Sequence, residues 1–228
     1  MMKLTTRCGT AAIEGLNEAL LAKAVEAKVL RTSRLRVDTT VVPANVAYPT
    51  DSGLLAKAVK RIAVAGQRIH AAAGAVRTKL RDRSRAAGRR AHGIAAKLRM
   101  RSAQGRDEAH AVVQRLTGEL ADLAEKAAAD AEKLLVNARR SLRTATAKAK
   151  KLIAAGGGDP VAGRRRGRLH RAVDHLADLV AATRQVAAQA RVRIAGQIPD
   201  GATRRVSLHE SDARPIAKGR LGKPVEFG

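Results

Sequence analysis

Apolar residues recur at helical spacing through the middle of the chain. Eleven Leu and Ala positions cover 36 residues in ten steps: Leu116, Leu120, Leu123, Ala127, Ala131, Leu134, Ala138, Leu142, Ala145, Ala149 and Leu152. The average step of 3.6 residues is the period of one face of a straight α-helix. The pattern therefore predicts a single long helix over this stretch.

A second helical stretch follows a flexible turn. Gly156-Gly-Gly-Asp-Pro160 interrupts the first pattern, and apolar or small residues then recur about every 3.6 residues from Leu169 to Ile194. The second helix is predicted to fold back on the first as a long antiparallel hairpin, with Arg164-Arg-Arg166 at or near its tip. Such a hairpin could grip DNA, pair two protomers into a homo-oligomer, or act only as a spacer.

Other helices are predicted before the hairpin. An apolar stripe predicts an N-terminal helix from about Gly9 to Val29. Thr50-Asp51-Ser52, followed by two leucines, is a helix-start pattern in which a side-chain oxygen accepts from an orphan backbone N–H. The helix that begins there is expected to run towards Arg101, with kinks or fraying at several glycines.

Extended structure is predicted on both sides of the helices. Arg34-Leu-Arg-Val-Asp38-Thr-Thr-Val-Val42 is a β-branched run with one carboxylate in its middle. The stretches Arg204 to Glu210 and Pro224 to Phe227 are predicted as strands beside it. A carboxylate among core-forming residues is costly to bury unless it meets a metal ion or a cation. Asp38 is therefore the leading candidate for a functional carboxylate.

Three stretches carry motif similarity: Arg36 to Leu55, which holds Val-Asp38-Thr-Thr and Tyr48-Pro-Thr-Asp51-Ser-Gly; Ser207 to Ile216; and Lys218 to Gly228. Together they resemble an insertion-sequence transposase with a DDE catalytic domain of the RNase H-like type. The resemblance implies a mainly α chain with a small β-sheet (α+β). That fold is a partial RNase H-like core with a long helical insertion, an antiparallel helical hairpin, between its first and second strands.

The resemblance implies a catalytic role for Asp38 and a limit on activity. In that family the first catalytic Asp lies on the first core strand, so Asp38 becomes the expected catalytic residue and Mg²⁺ ligand. The family's later Asp and Glu would lie beyond Gly228, and one carboxylate cannot hold the paired Mg²⁺ ions of two-metal phosphoryl chemistry. We expect a truncated, inactive transposase that still binds DNA. Asp51 and Glu210 are weaker candidates for the active-site rim, and Asp51 is alternatively only a helix-start residue.

Three segments follow from these predictions. Residues 1–50 would hold the N-terminal helix and the first core strand. Residues 51–200 would form the basic helical insertion with its long hairpin. Residues 201–228 would form a C-terminal β-hairpin of the incomplete catalytic core.

The charge of the chain indicates a polyanionic partner. The formal net charge is +25. Fourteen Lys or Arg stand against one acid between Lys60 and Arg106, and eleven stand against Asp159 alone between Arg139 and Arg171. So many closely spaced positive charges repel one another unless a polyanion is present, so duplex DNA is the predicted partner. The candidate contacts are Arg81, Arg83, Arg85, Arg89, Arg90, Arg164, Arg165 and Arg166. A merely solvated basic surface and a non-enzymatic basic helical protein that binds or compacts DNA are the alternatives.

Composition narrows the remaining choices. With one Tyr, one Phe and no Trp, the chain lacks the aromatic platforms on which single-strand binders stack bases, so contact with a duplex backbone is preferred. A single Cys excludes a disulfide scaffold and fits a reducing compartment. No apolar run approaches the roughly 20 residues of a membrane span. No membrane partner is expected, and the protein is predicted to be cytoplasmic.

Overall fold

The computed structural model describes residues 2–29, 50–75, 77–99, 106–220 and 223–227. The chain divides into two compact units, Met1–Val41 and Val42–Gly228. Its elements are, in chain order, α1 (Met2–Glu26), α2 (Asp51–Ala71), α3 (Ser84–Leu98), α4 (Arg106–Ala154), α5 (Pro160–Ile194), β1 (Pro215–Arg220) and β2 (Lys223–Phe227).

Helix α1 belongs to the first unit. Gly9 has φ 76° and ψ 164°, so the helix is kinked at a residue that tolerates positive φ without steric penalty. Beyond the kink most of its large apolar side chains are exposed, including Leu16 at 61% and Leu20 at 68%. The observed helix begins before the predicted Gly9 and ends at Glu26, short of the predicted end.

Helix α2 opens the described part of the second unit, and its start follows the predicted pattern. The side-chain oxygen of Thr50 accepts a hydrogen bond from the backbone N–H of Gly53 at 3.1 Å. One face then buries a row of aliphatic side chains, with Leu55 fully buried. The helix ends at Ala71, well before Arg101, because the chain turns with Ala73 at φ 56°.

A tight turn separates the two longest helices, α4 and α5. Gly156 has φ 74°, a conformation that favours glycine over any residue with a Cβ. The Asp159 carboxylate then caps α5 by accepting hydrogen bonds from the backbone N–H groups of Val161 at 2.8 Å and Ala162 at 3.1 Å. Pro160 occupies the first turn, where its missing N–H is not needed.

Helices α4 and α5 pack as an antiparallel hairpin. Arg184 pairs with Glu132, whereas Arg191, two turns further along α5, pairs with Glu125, two turns earlier on α4. The two partner positions thus move in opposite directions along the two helices, as the repeating apolar pattern predicts.

Alanine does much of the packing in the helical core. Helix α2 contacts α3, α4 and α5, and α4 also contacts α3 and α5. Six alanines of α4 are at most 2% exposed: Ala121, Ala124, Ala127, Ala128, Ala131 and Ala138. Small side chains allow close helix approach, and at Gly66 of α2 an added Cβ would meet the side chains of Leu80 and Leu134. Along the hairpin, Ala138 is the last buried residue of α4 and Leu169 is the first buried residue of α5, so no residue between them is buried.

The segment after α5 is held to the bundle by side-chain hydrogen bonds. The Gln189 side chain accepts from the backbone N–H of Arg205 at 2.6 Å and donates to the carbonyl of the same residue at 3.2 Å. The Ser207 hydroxyl accepts from the backbone N–H groups of His209 and Glu210, both at 3.1 Å. These side chains satisfy groups that a strand would pair with its neighbour. This stretch is irregular, and the strand predicted for it is wrong.

The predicted α+β fold class, a partial RNase H-like core, is also wrong. Among the described residues, β structure is limited to the antiparallel ribbon of β1 and β2, in which Pro215 lies opposite Phe227. Helices α2 to α5 bury their apolar faces against one another and not against a sheet, because their long 3.6-residue periods can be satisfied helix to helix. The predicted first strand, Arg34 to Val42 with Asp38, lies outside the described residues.

Candidate nucleic-acid interface

The charges of α4 are segregated along its length. Five carboxylates in the part that packs against the bundle pair with arginines of neighbouring helices. The pairs are Arg83 with Asp130 at 2.7 Å, Arg90 with Glu119 at 2.9 Å, Arg184 with Glu132 at 2.6 Å, and Arg191 with both Asp122 and Glu125 at 2.8 Å. Hydrogen bonds to Glu125 and Asp122 raise the pKa of Arg191. In this region these four arginines help to hold the helices together.

The far end of the hairpin has the opposite character. We call residues 139–168, which comprise the end of α4, the turn and the start of α5, the distal arm. None of its residues is buried. It carries ten cations: Arg139, Arg140, Arg143, Lys148, Lys150, Lys151, Arg164, Arg165, Arg166 and Arg168. Its one acid, Asp159, is engaged in capping α5.

The cations of the distal arm lack carboxylate partners. Within the described residues, the salt bridges involve other positions, and none of the ten arm cations takes part in one. Ten cations less one carboxylate leave the arm a net charge of +9. This charge is exposed on a projection, where a polyanion can approach it without displacing an internal ion pair.

The arrangement of these cations does not favour the isolated helix. Arg139 and Arg143, and likewise Arg164 and Arg168, stand four residues apart on one helix face. Each such like-charge pair destabilises a helix by roughly 0.2–0.5 kcal/mol. Arg164 also lies near the N-terminus of α5, the end at which the helix dipole favours anions. The dipole favours only the cations near the C-terminus of α4, such as Lys151 in its last turn. Helix stability therefore explains a small part of this charge, and binding to phosphates accounts for the rest.

The dimensions of the distal arm favour contact with a nucleic-acid backbone. The 16 residues of α4 from Arg139 to Ala154 span about 24 Å at 1.5 Å per residue. Two packed helices of about 10 Å diameter are together about 20 Å wide. The major groove of B-DNA is only about 12 Å wide, so the paired helices do not fit inside it. The arm suits phosphates along the groove edges, with single side chains reaching further.

An apolar groove of about 660 Å³ runs along the distal arm between α4 and α5. Leu152 and Ile153 contribute to its lining and are 46% and 64% exposed. Lys148, Arg165 and Arg166 stand at the same groove. Apolar surface beside cations fits the aliphatic stems of long basic side chains, which cover apolar surface while keeping their charged ends in water.

The structure divides the arginines predicted to contact DNA. Arg83 and Arg90 are half-buried and occupied by ion pairs with α4, as described above. Arg81, Arg85 and Arg89 are exposed on or just before α3.

Arg164, Arg165 and Arg166 lie on the distal arm, as expected for the tip of the hairpin. The set predicted from sequence omits the six cations that α4 contributes to the arm. The sequence does indicate these six cations, which lie between positions 139 and 151, because no Asp or Glu stands three or four residues from any of them.

Asp51 and Glu210, the two weaker carboxylate candidates, both lie within the described residues. Asp51 lies at the start of α2, and its side-chain oxygen is 2.7 Å from Arg193 Nε of α5. Burial raises the pKa of Asp51, while Arg193 and Arg204 act in the opposite direction. Burial outweighs the ion pair because the Asp51 side chain is only 9% exposed, so its pKa lies above the usual value.

The structure does not bring Glu210 to Asp51. Glu210 is exposed beside His209, whose pKa is lowered by burial and then by nearby Arg61 and His175. Asp51 instead contacts Arg193, which is 18 residues from His175 along α5, or about 27 Å. The two carboxylates therefore do not form one rim.

The implied Mg²⁺ cannot be placed on the described residues. Asp38 lies outside them, and within them no three His, Cys, Asp or Glu side chains come together as metal ligands. Mg²⁺ requires several oxygen ligands in near-octahedral geometry, which the separated Asp51 and Glu210 do not provide.

Over the described residues, each helix is too short or too polar to cross a membrane. No family model, curated protein or solved structure matches the chain.

Proposed function

We propose that this chain binds duplex DNA through the phosphates of its backbone, and that the distal arm supplies most of the contact. The observation that carries the proposal is the contrast within one helix. Carboxylates of α4 beside the bundle pair with four arginines packed against them, whereas the ten cations of the arm, none of them buried, take part in no salt bridge among the described residues. Phosphates supply the missing counter-charge.

Backbone contact suits this chain better than base readout in single strands. Only Tyr48 and Phe227 are aromatic among its 228 residues, so it has almost no side chains on which bases could stack. Affinity should come mainly from released counterions, and sequence preference should be weak.

We further propose that the chain is related to insertion-sequence transposases, that it binds DNA, and that it lacks strand cleavage and strand transfer. The motif around Asp38 supports the family assignment. The separation of Asp51 from Glu210, the two other candidate carboxylates, supports inactivity. The cytoplasm is the compartment we propose, in keeping with a single Cys.

A non-enzymatic DNA-compacting protein is the second candidate. The helical fold of the described part favours it, because α2 to α5 form a bundle without an RNase H-like sheet. Compaction requires that one particle hold two duplex segments, either on two faces of one chain or through paired protomers.

The test is a salt titration of duplex binding combined with a nicking assay. If about eight phosphates are contacted, the plot of log K against log salt has a slope near −7, because each contact contributes about −0.9. A slope near zero would remove the DNA-binding proposal. With Mg²⁺ or Mn²⁺ present, we expect no nicking of supercoiled DNA, and nicking that disappears in Asp38→Ala would overturn the claim of inactivity.

A further inference from the structure

A second basic site lies between α2 and α5 and shares Arg168 with the distal arm. A cavity of about 330 Å³ is bordered by the guanidinium-bearing side chains of Arg68, Arg168 and Arg171 and by His175. Its remaining lining consists of four alanines: Ala65, Ala71, Ala72 and Ala172. The site therefore has a small apolar floor and a rim of three cations with one imidazole.

The three arginines of this cleft have no carboxylate partner among the described residues. Asp174 is the acid nearest to Arg171 on α5, and it already pairs with His170 at 2.7 Å. Arg168 and Arg171 are three residues apart on one helix, a spacing at which like charges repel. Helix α2 brings Arg68 to the same cavity, which adds a third charge.

A structural role explains only part of this cluster. Arg68 lies in the last turn of α2, where a cation interacts favourably with the helix dipole. Arg168 and Arg171 lie in the first half of α5 and receive no such stabilisation. Convergence of all three on one cavity is therefore unfavourable in the free protein and favourable once a multiply charged anion is bound.

The position of the cleft is fixed by tight packing at the end of α2. At Gly74 an added Cβ would meet the side chain of Leu169, so the turn lies directly against α5. Ala73 and Ala75 hold positive φ values of 56° and 54°, which L-residues adopt only with strain. Packing against α5 therefore keeps the turn after α2 in a backbone conformation that its own sequence does not favour, and this places the alanines of the cleft beside its arginines.

We propose that this α2/α5 cleft binds a phosphate dianion. Three guanidinium groups can neutralise two negative charges and donate paired hydrogen bonds to the oxygens, and His175 can donate a ring N–H. The cavity is at the small end of ligand sites, so it suits a phosphate or a phosphomonoester more than a large organic ligand. The dianion is either free inorganic phosphate or the terminal phosphomonoester of a DNA strand.

The test compares two double variants with equal net charge. Arg68→Gln with Arg171→Gln changes the cleft, and Arg139→Gln with Arg143→Gln changes the distal arm; all four side chains are exposed. Inorganic phosphate binding is measured by calorimetry at constant ionic strength. We expect wild type and the arm variant to bind equally, and the cleft variant to bind about tenfold or more weakly, since it loses charge-assisted hydrogen bonds. Equal binding by the two variants, or no binding by wild type, would overturn the cleft site.

A second experiment identifies the source of the phosphate, and only this experiment rests on the proposed function. Duplexes with 5′-phosphate ends and with 5′-hydroxyl ends are compared. A preference for phosphorylated ends that disappears in the cleft variant assigns the strand end, and equal affinity assigns free phosphate. Phosphate binding without duplex binding would refute only the proposed function. Duplex binding without any phosphate response or end preference would refute only the cleft.

Discussion

The arginines predicted to contact DNA divide into two groups, and the division can be tested with matched variants. Arg164→Gln with Arg165→Gln removes two cations of the distal arm. Arg83→Gln with Arg90→Gln removes two cations that pair with α4. Both double variants lower the net charge by two, so a purely global charge effect would affect DNA binding equally.

For the arm variant we expect a large loss of DNA affinity and little loss of stability. If both arginines contact phosphates, the salt slope becomes less steep by about 1.8, which corresponds to about 60-fold weaker binding at 0.1 M salt. Thermal stability should stay constant or rise slightly, because these arginines have no partner in the described fold and sit among other cations.

For the bundle variant we expect the reverse. The side chains of Arg83 and Asp130 are 15% and 26% exposed, so removal of the arginine leaves a half-buried carboxylate without its main partner. Glu119 keeps Arg115 as a partner, so the loss at Arg90 is smaller. Together we expect about 2 kcal/mol less stability, which lowers Tm by about 4–8 °C in a chain of this size.

Two measurements check the contrast: duplex affinity over a range of salt concentrations, and melting followed by circular dichroism. Equal losses of DNA affinity in the two variants would show that the interface is not localised to the arm. An arm variant that melts as early as the bundle variant would show that the arm cations stabilise the fold.

The helical hairpin was predictable because its signal repeats many times. Eleven apolar positions at a 3.6-residue period specify one face of α4, and Gly156 with Asp159 and Pro160 specifies the turn. The start of α4 at Arg106 was not predictable in the same way, because the apolar repeat begins only at Leu116.

The strand predicted for Arg204 to Glu210 is wrong because a contact with a residue distant in sequence determines the structure of this stretch. Val206 and Leu208 give the stretch from Arg204 to Glu210 an alternating pattern, which is typical of a half-buried strand. Gln189 is 16 residues away from Arg205, and its amide takes both backbone hydrogen-bonding groups of that residue. The pairing of Arg83 and Arg90 was missed for a similar reason, since a count of charges along the chain does not reveal carboxylates 47 and 29 residues away.

Three further predictions concern the described unit. Gln189→Leu should lower stability by about 1–3 kcal/mol, because it leaves the Arg205 N–H and carbonyl unpaired; urea unfolding measures it, and no change would mean that water replaces the amide. Ala73→Gly should raise stability by up to about 1 kcal/mol by relieving positive φ, whereas Ala131→Gly, in the buried core of α4, should lower it. Because burial raises the pKa of Asp51, the folded protein holds the carboxyl proton more tightly than the unfolded chain, so stability falls as pH rises from 3.8 to the raised pKa. Asp51→Asn should remove this fall and stabilise the protein at pH 7. A loss of stability at pH 7 in this variant would show that the Arg193 ion pair dominates.

The distribution of charge also bears on the choice between the two proposed functions. A compacting protein must hold two duplex segments at once. Besides the distal arm and the α2/α5 cleft, which shares Arg168 with the arm, the second unit has a smaller exposed basic patch of Arg81, Arg85 and Arg89 on or just before α3. At 0.1 M salt each phosphate contact strengthens binding about eightfold, so three contacts give about 500-fold and eight give about ten-million-fold. A single chain would thus hold one duplex firmly and a second only weakly. This asymmetry supports a protein that positions one DNA duplex, as the proposed transposase would. Compaction by this chain would require protomers paired with their distal arms apart.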